Sequence, residues 1–73
     1  MFERFCTEAG LTHAELWLRY FELGGESPPL ELEAVLFGAL EPTPYEHDII
    51  AQVLNERFVE LGGPYLVPYA DEP

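Results

Sequence analysis

The residues best suited to chemistry in this chain are few: two histidines, one cysteine and a serine standing before a pair of prolines. Glu46, His47 and Asp48 are consecutive, an order that brings a metal or an acid–base centre to mind. On a helix, however, adjacent residues point in different directions, so the three do not form a joint ligand set. A hydrolytic His–Asp pair needs further histidines and aspartates, and only His13 is left to supply one. Acids at a helix start, favoured there by the helix dipole, account for the triplet together with a surface histidine. Cys6 falls on the apolar side of a helix, where a free cysteine serves as a small core residue. Neither spacing nor a local motif pairs it with His13 or His47 as a catalytic couple. No glycine-rich phosphate loop, zinc-ligand spacing or nucleotide fingerprint occurs. The expectation is therefore no catalytic residue, no metal, no cofactor and no enzyme.

The framework that must position these residues is short, acidic and apolar at once. Its 73 residues carry 14 acids against three arginines and no lysine, for a net charge of −11, yet 48% of them are hydrophobic. A polar chain so charged would stay disordered, having too little apolar surface to offset its chain entropy. With this apolar content the same charge describes a folded domain with a strongly negative skin. Such a skin repels nucleic acid and anionic membranes and attracts cationic surfaces. The length allows one domain, residues 1–73, burying only ~60% of its unfolded surface. A lone cysteine excludes an intrachain disulfide and fits a reducing cytoplasm. Met1-Phe2-Glu3-Arg4 does not open a signal peptide, and no apolar run is long enough to span a bilayer. The sequence thus predicts a cytoplasmic protein that contacts neither nucleic acid nor membrane directly.

Helix boundaries are clearly marked. Phe2, Phe5, Cys6 and Ala9 recur at i, i+3, i+4 and i+7, one face of a short first helix that Gly10 stops. Thr12-His13-Ala14-Glu15 is a capping box, with Leu11 and Leu16 spaced as a hydrophobic staple. The second helix runs from there to about Leu23 and stops at Gly24-Gly25. A third is expected to open on Ser27 as its cap, with Pro28 in the first helical position. Its stripe reads Leu32, Val35, Leu36, Ala39 and Leu40, ended by Pro42. Thr43-Pro44-Tyr45-Glu46 starts the longest helix, reaching about Leu61 with Ile50, Val53, Leu54, Phe58 and Leu61 on one face. The stretch Pro64–Tyr69 cannot be helical through its prolines and reads as an extended strap across a groove, on this chain or another. It belongs to an extended tail over 63–73 whose end, Asp71-Glu72-Pro73, should fray. The fold class is all-α: three main helices, a short N-terminal one and a strap. Arg19–Gly25 is echoed by Arg57–Gly63, which reads as one helix-ending recipe used twice.

The second helix is too apolar for its length. Leu16, Trp17, Leu18, Tyr20, Phe21 and Leu23 occupy most of its circumference. Either the other helices cover it, or part of it faces a partner, as exposed apolar patches do. Trp17, Leu18 and Phe21, joined by Tyr65 and Tyr69 of the strap, are the candidate partner-binding residues. The chain then reads as a regulatory protein–protein interaction module, its aromatic face rimmed by acids that suit a basic partner surface; a homodimer is the other arrangement left open. A second reading is a DNA-mimicking inhibitor, in which charge geometry does the binding.

A third follows from Tyr20-Phe21-Glu22-Leu23-Gly24-Gly25-Glu26-Ser27. This segment resembles the carrier-protein signature, in which the serine after a Phe-x-Leu-Gly-Gly pattern receives a phosphopantetheine arm. The resemblance implies that Ser27 is the attachment site of a divergent carrier-like domain. Pro28-Pro29 stands where carriers place an apolar residue such as leucine, and a capped helix replaces the long loop before the serine.

Overall fold

The apolar spacing resolves into four helices: α1 (Phe2–Ala9), α2 (His13–Glu22), α3 (Pro29–Leu36) and α4 (Pro44–Glu60). The computed structural model describes residues 2–71, and no strand occurs among them. The fraying expected of Glu72 and Pro73 lies outside the described residues. Both capping boxes form as spelled. Thr12 Oγ1 accepts the Glu15 amide at 3.1 Å while Glu15 Oε1 accepts the Thr12 amide at 2.9 Å, and Thr43 and Glu46 repeat the exchange. Each satisfies two amides that a helix start leaves open.

The echoed segments end their helices identically. The amide of Gly25 donates to the Tyr20 carbonyl at 2.9 Å, and that of Gly63 to the Phe58 carbonyl at 2.8 Å. The glycines between, Gly24 at φ +99° and Gly62 at φ +88°, take the left-handed turn this closure requires. Leu61 is the C-cap residue inside that closure and is exposed rather than part of the α4 face.

Helix α3 is shorter at both ends than its sequence pattern indicates. Pro28, not Ser27, occupies the cap position and makes no side-chain cap bond; Pro29 opens the helix. A residue preceding proline is pushed out of the helical region, so Pro28 cannot itself be the first helical residue. Its ψ of 163° is extended accordingly. At the other end the turn at Phe37-Gly38 stops the helix, the Ala39 amide closing on the Ala34 carbonyl at 2.9 Å. Ala39 and Leu40 therefore leave the stripe and are exposed, and Pro42 plays no part in the stop.

Helix α4 carries the most buried residues of the four. It packs on α1 and α2, while α3 packs on the same two. Ile49, Ile50, Val53, Leu54 and Phe58 are buried against Phe2, Cys6, Leu16, Tyr20, Leu32 and Leu36 of the other helices. The strap covers a further side of α4, where Asn55 is completely buried. Asn55 Nδ2 donates to the Val67 carbonyl at 2.9 Å, and its Oδ1 accepts the amides of Leu66 and Val67, each at 2.9 Å. His47 Nε2 meets the Pro68 carbonyl at 2.9 Å, and Asp48 accepts the Ala70 amide at 2.8 Å. The strap's groove is on its own chain.

Candidate functional site

Helix α2 buries only Leu16 and Tyr20. On its opposite side Ala14, Leu18 and Phe21 recur at i, i+4 and i+7 and are all exposed, Leu18 by 56% and Phe21 by 59%. The helix therefore has two apolar faces, one covered and one bare. Trp17 lies half-buried on the flank between them. Its indole N–H donates to the Ser27 carbonyl at 2.9 Å, and its ring stacks on Phe21 with centroids 5.2 Å apart and planes 19° from parallel. Trp17 is thus a fixed platform for Phe21.

Helix α3 runs antiparallel alongside. Trp17 reaches Ser27 just before its start, while His13, at the start of α2, meets residues near its end. His13 stands edge-on to Phe37 at 5.3 Å, with Nδ1 3.6 Å from Glu33 and Nε2 2.9 Å from Glu3. Phe37 is 59% exposed and Leu30, two turns before it on the same side of α3, is 80% exposed. Glu22 on α2 and Glu31 on α3 form the outer margins. No arginine is free to neutralise them. Arg4 pairs with Glu8, Arg19 holds both Glu60 oxygens at 3.0 and 3.1 Å, and Arg57 binds Glu60 and the Ala9 carbonyl.

The remaining candidate residues lie elsewhere. Tyr65 is exposed in the strap, and Tyr69 is half-buried against α4 with its hydroxyl donating to Gln52 Oε1 at 2.7 Å. Glu46, His47 and Asp48 serve three separate tasks. Glu46 turns to Ser27 and Tyr20, His47 to the strap and edge-on to Phe2, and Asp48 to the strap end. No group of three or more acids, histidines or cysteines among the described residues could hold a metal ion. Cys6 is buried, its thiol donating to the Leu11 carbonyl at 3.3 Å. Burial, and secondarily the charge of Glu3, pushes that thiol above its ordinary value, which makes it a poorer nucleophile.

Two polar clusters carry no motif in the sequence. The first centres on Tyr20, whose fully buried hydroxyl accepts the amides of Glu26 and Ser27 and donates to Glu46 Oε2 at 3.2 Å. The Ser27 hydroxyl donates to the same oxygen. These bonds, that of Ser27 first and those of Thr43 and Tyr20 after it, hold the Glu46 carboxyl below the ordinary glutamate value. Gly25 is part of the same cluster, since a Cβ there would stand 2.3 Å from the Tyr20 ring. The second is Asn55 with the strap. Its one visible signal was an amide side chain set among Val53, Leu54 and Phe58, where only a buried backbone partner could satisfy it. No family model matches this chain, and no curated protein and no solved structure matches it either.

Proposed function

We propose that this chain is a small acidic interaction module, acting in the cytoplasm as a regulator, that binds a protein partner through the outer face of α2. The observation that carries the reading is the second apolar face of that helix, bare at Leu18 and Phe21. Covering a Leu or Phe side chain yields ~1.5–3 kcal/mol, and aromatic anchors dominate binding energy at protein interfaces. The Trp17–Phe21 stack fixes the anchor before binding, so little side-chain freedom is lost on docking. Tyr65, exposed, and Tyr69, held by Gln52, belong to the strap on α4 rather than to this face. A DNA-mimicking inhibitor is the second reading. It is favoured by the pairing of all three arginines within the chain, which leaves most of the acids uncompensated. Against a carrier role stands the Ser27 hydroxyl, already donated to Glu46 in a half-buried site.

The test is site-specific photocrosslinking in the source cell. A photoreactive residue replacing Leu18 should capture a discrete protein that one replacing the exposed Val59 of α4 does not, and Phe21→Ala should abolish the capture. Equal capture from both places, or none from Leu18, would refute the reading. Capture that survives Phe21→Ala but collapses with added salt would favour the DNA mimic.

A further inference from the structure

We infer that the partner element is a cationic amphipathic helix lying across the apolar surface that α2 and α3 share, an inference that rests on the interaction reading and names its occupant. Both helices contribute to that surface: Trp17 and Phe21 from α2, and from α3 Leu30 and the C-cap residue Phe37, which meets α2 through His13. From His13, which touches Phe37, to Phe21 is eight residues, or about 12 Å at the helical rise. That span accommodates anchors at i and i+7 of a docked helix, about 10.5 Å apart. A strand added to a sheet edge binds chiefly through main-chain hydrogen bonds, and mid-helix α2 and α3 have their backbone groups already paired. A helix brings its own backbone satisfied and needs only side-chain pockets.

The sign of the partner follows from the rim. Glu22 and Glu31 follow Phe21 and Leu30 on the exposed flanks of their helices, Glu33 stands beside His13 where the two helices meet, and the chain has no lysine. Arg19, on the far side of α2, is engaged by Glu60. Lysines or arginines flanking the apolar stripe of an incoming helix would meet these carboxylates as its anchors seat. A second copy of this chain fits badly, since each copy carries −11 and pairing the two faces sets acids against acids.

The probe is a synthetic amphipathic helix of leucines and lysines, compared with its glutamate-for-lysine counterpart and with a scrambled lysine peptide lacking an apolar stripe. The lysine helix should bind, shifting the amide resonances of both α2 and α3 and changing Trp17 fluorescence. The other two peptides should not. Leu30→Ser and Phe37→Ser alter exposed side chains, so helical content should persist while each weakens binding roughly tenfold. Binding should also weaken as salt is added. Equal binding of the glutamate or scrambled peptide, or shifts confined to the Val59–Leu66 region, would overturn the inference. Concentration-dependent dimerisation of the free protein that Leu30→Ser abolishes would overturn it in favour of a second copy. A native partner captured through Leu18 while the lysine helix fails to bind would leave the interaction reading standing and remove the helix as its occupant.

Discussion

Replacing Asn55 with alanine isolates the strap from the bundle. The side chain makes three hydrogen bonds to the strap backbone, all at 2.9 Å, two of them buried and the one from Leu66 partly so. At a net ~1 kcal/mol per bond the substitution removes about 3 kcal/mol, or roughly 10²-fold in the equilibrium for strap opening. Opening also exposes Val67, now only 3% accessible, at ~1.5–3 kcal/mol. The freed residues regain ~1–2 kcal/mol each of backbone entropy, which offsets that loss. The balance is close enough that the strap should detach locally while the helices, held by Ile50, Leu54 and Leu16, stay folded. Hydrogen exchange resolves the outcome amide by amide. In Asn55→Ala the amides of Leu66 and Val67 should exchange roughly 10²-fold faster, while those of Ile50 and Leu54 keep their protection. Unchanged exchange at Leu66 and Val67 would refute the assignment of Asn55 as the clasp. Equal acceleration throughout would refute the local character of the strap.

Acid should destabilise the fold with a defined sign. Glu15, held low by the Thr12 amide, Glu46, by the Ser27 hydroxyl, and Glu60, by Arg19, all bind a proton less readily folded than unfolded. Their contribution is complete above the unfolded glutamate value of ~4.3 and is lost as pH falls through the lower folded values. Urea midpoints should drop on that acid limb, and Glu46→Gln should flatten it. Leu16→Ala should cost about 2–5 kcal/mol in urea unfolding, whereas Leu18→Ala, one turn face away and exposed, should stay within about 0.5 kcal/mol. Comparable losses at both would mean that the outer face of α2 is packed in solution. Gly25→Ala drives a methyl into the Tyr20 ring and should cost about 1–3 kcal/mol in thermal unfolding; an unchanged melting temperature would mean that the contact is not close in solution.

The helices were legible because their ends are written in local chemistry. A threonine followed three residues later by a glutamate, and a glycine closing on the carbonyl before it, act within one turn and need no tertiary partner. Two of the places where the pattern misled are also local. Ser27 is a good capping residue, but Pro28-Pro29 shifts the start by one, and the rule that moves it is itself a property of the dipeptide. The α3 stripe through Ala39 and Leu40 kept its period past Gly38, and periodicity alone does not register a stop inside it.

The site was legible only as an excess. Counting apolar residues around α2 shows that they exceed what one buried face holds, and the structure resolves which of them, Leu18 and Phe21, are left over. It could not show that α3 supplies Leu30 and Phe37 to the same surface, because that depends on the antiparallel register set by Trp17 on Ser27 and His13 on Phe37. Tyr20 was likewise counted as one more apolar residue of α2. Its hydroxyl instead gathers the Glu26 and Ser27 amides and Glu46, tying the end of α2 to the start of α4 across 26 residues of sequence. That tie explains why the outer face is available at all. With Tyr20 and Leu16 anchoring α2 from below, the helix is held on its core side alone, and its upper apolar residues stay exposed. Apolar residues left without cover are what the proposed interface would use.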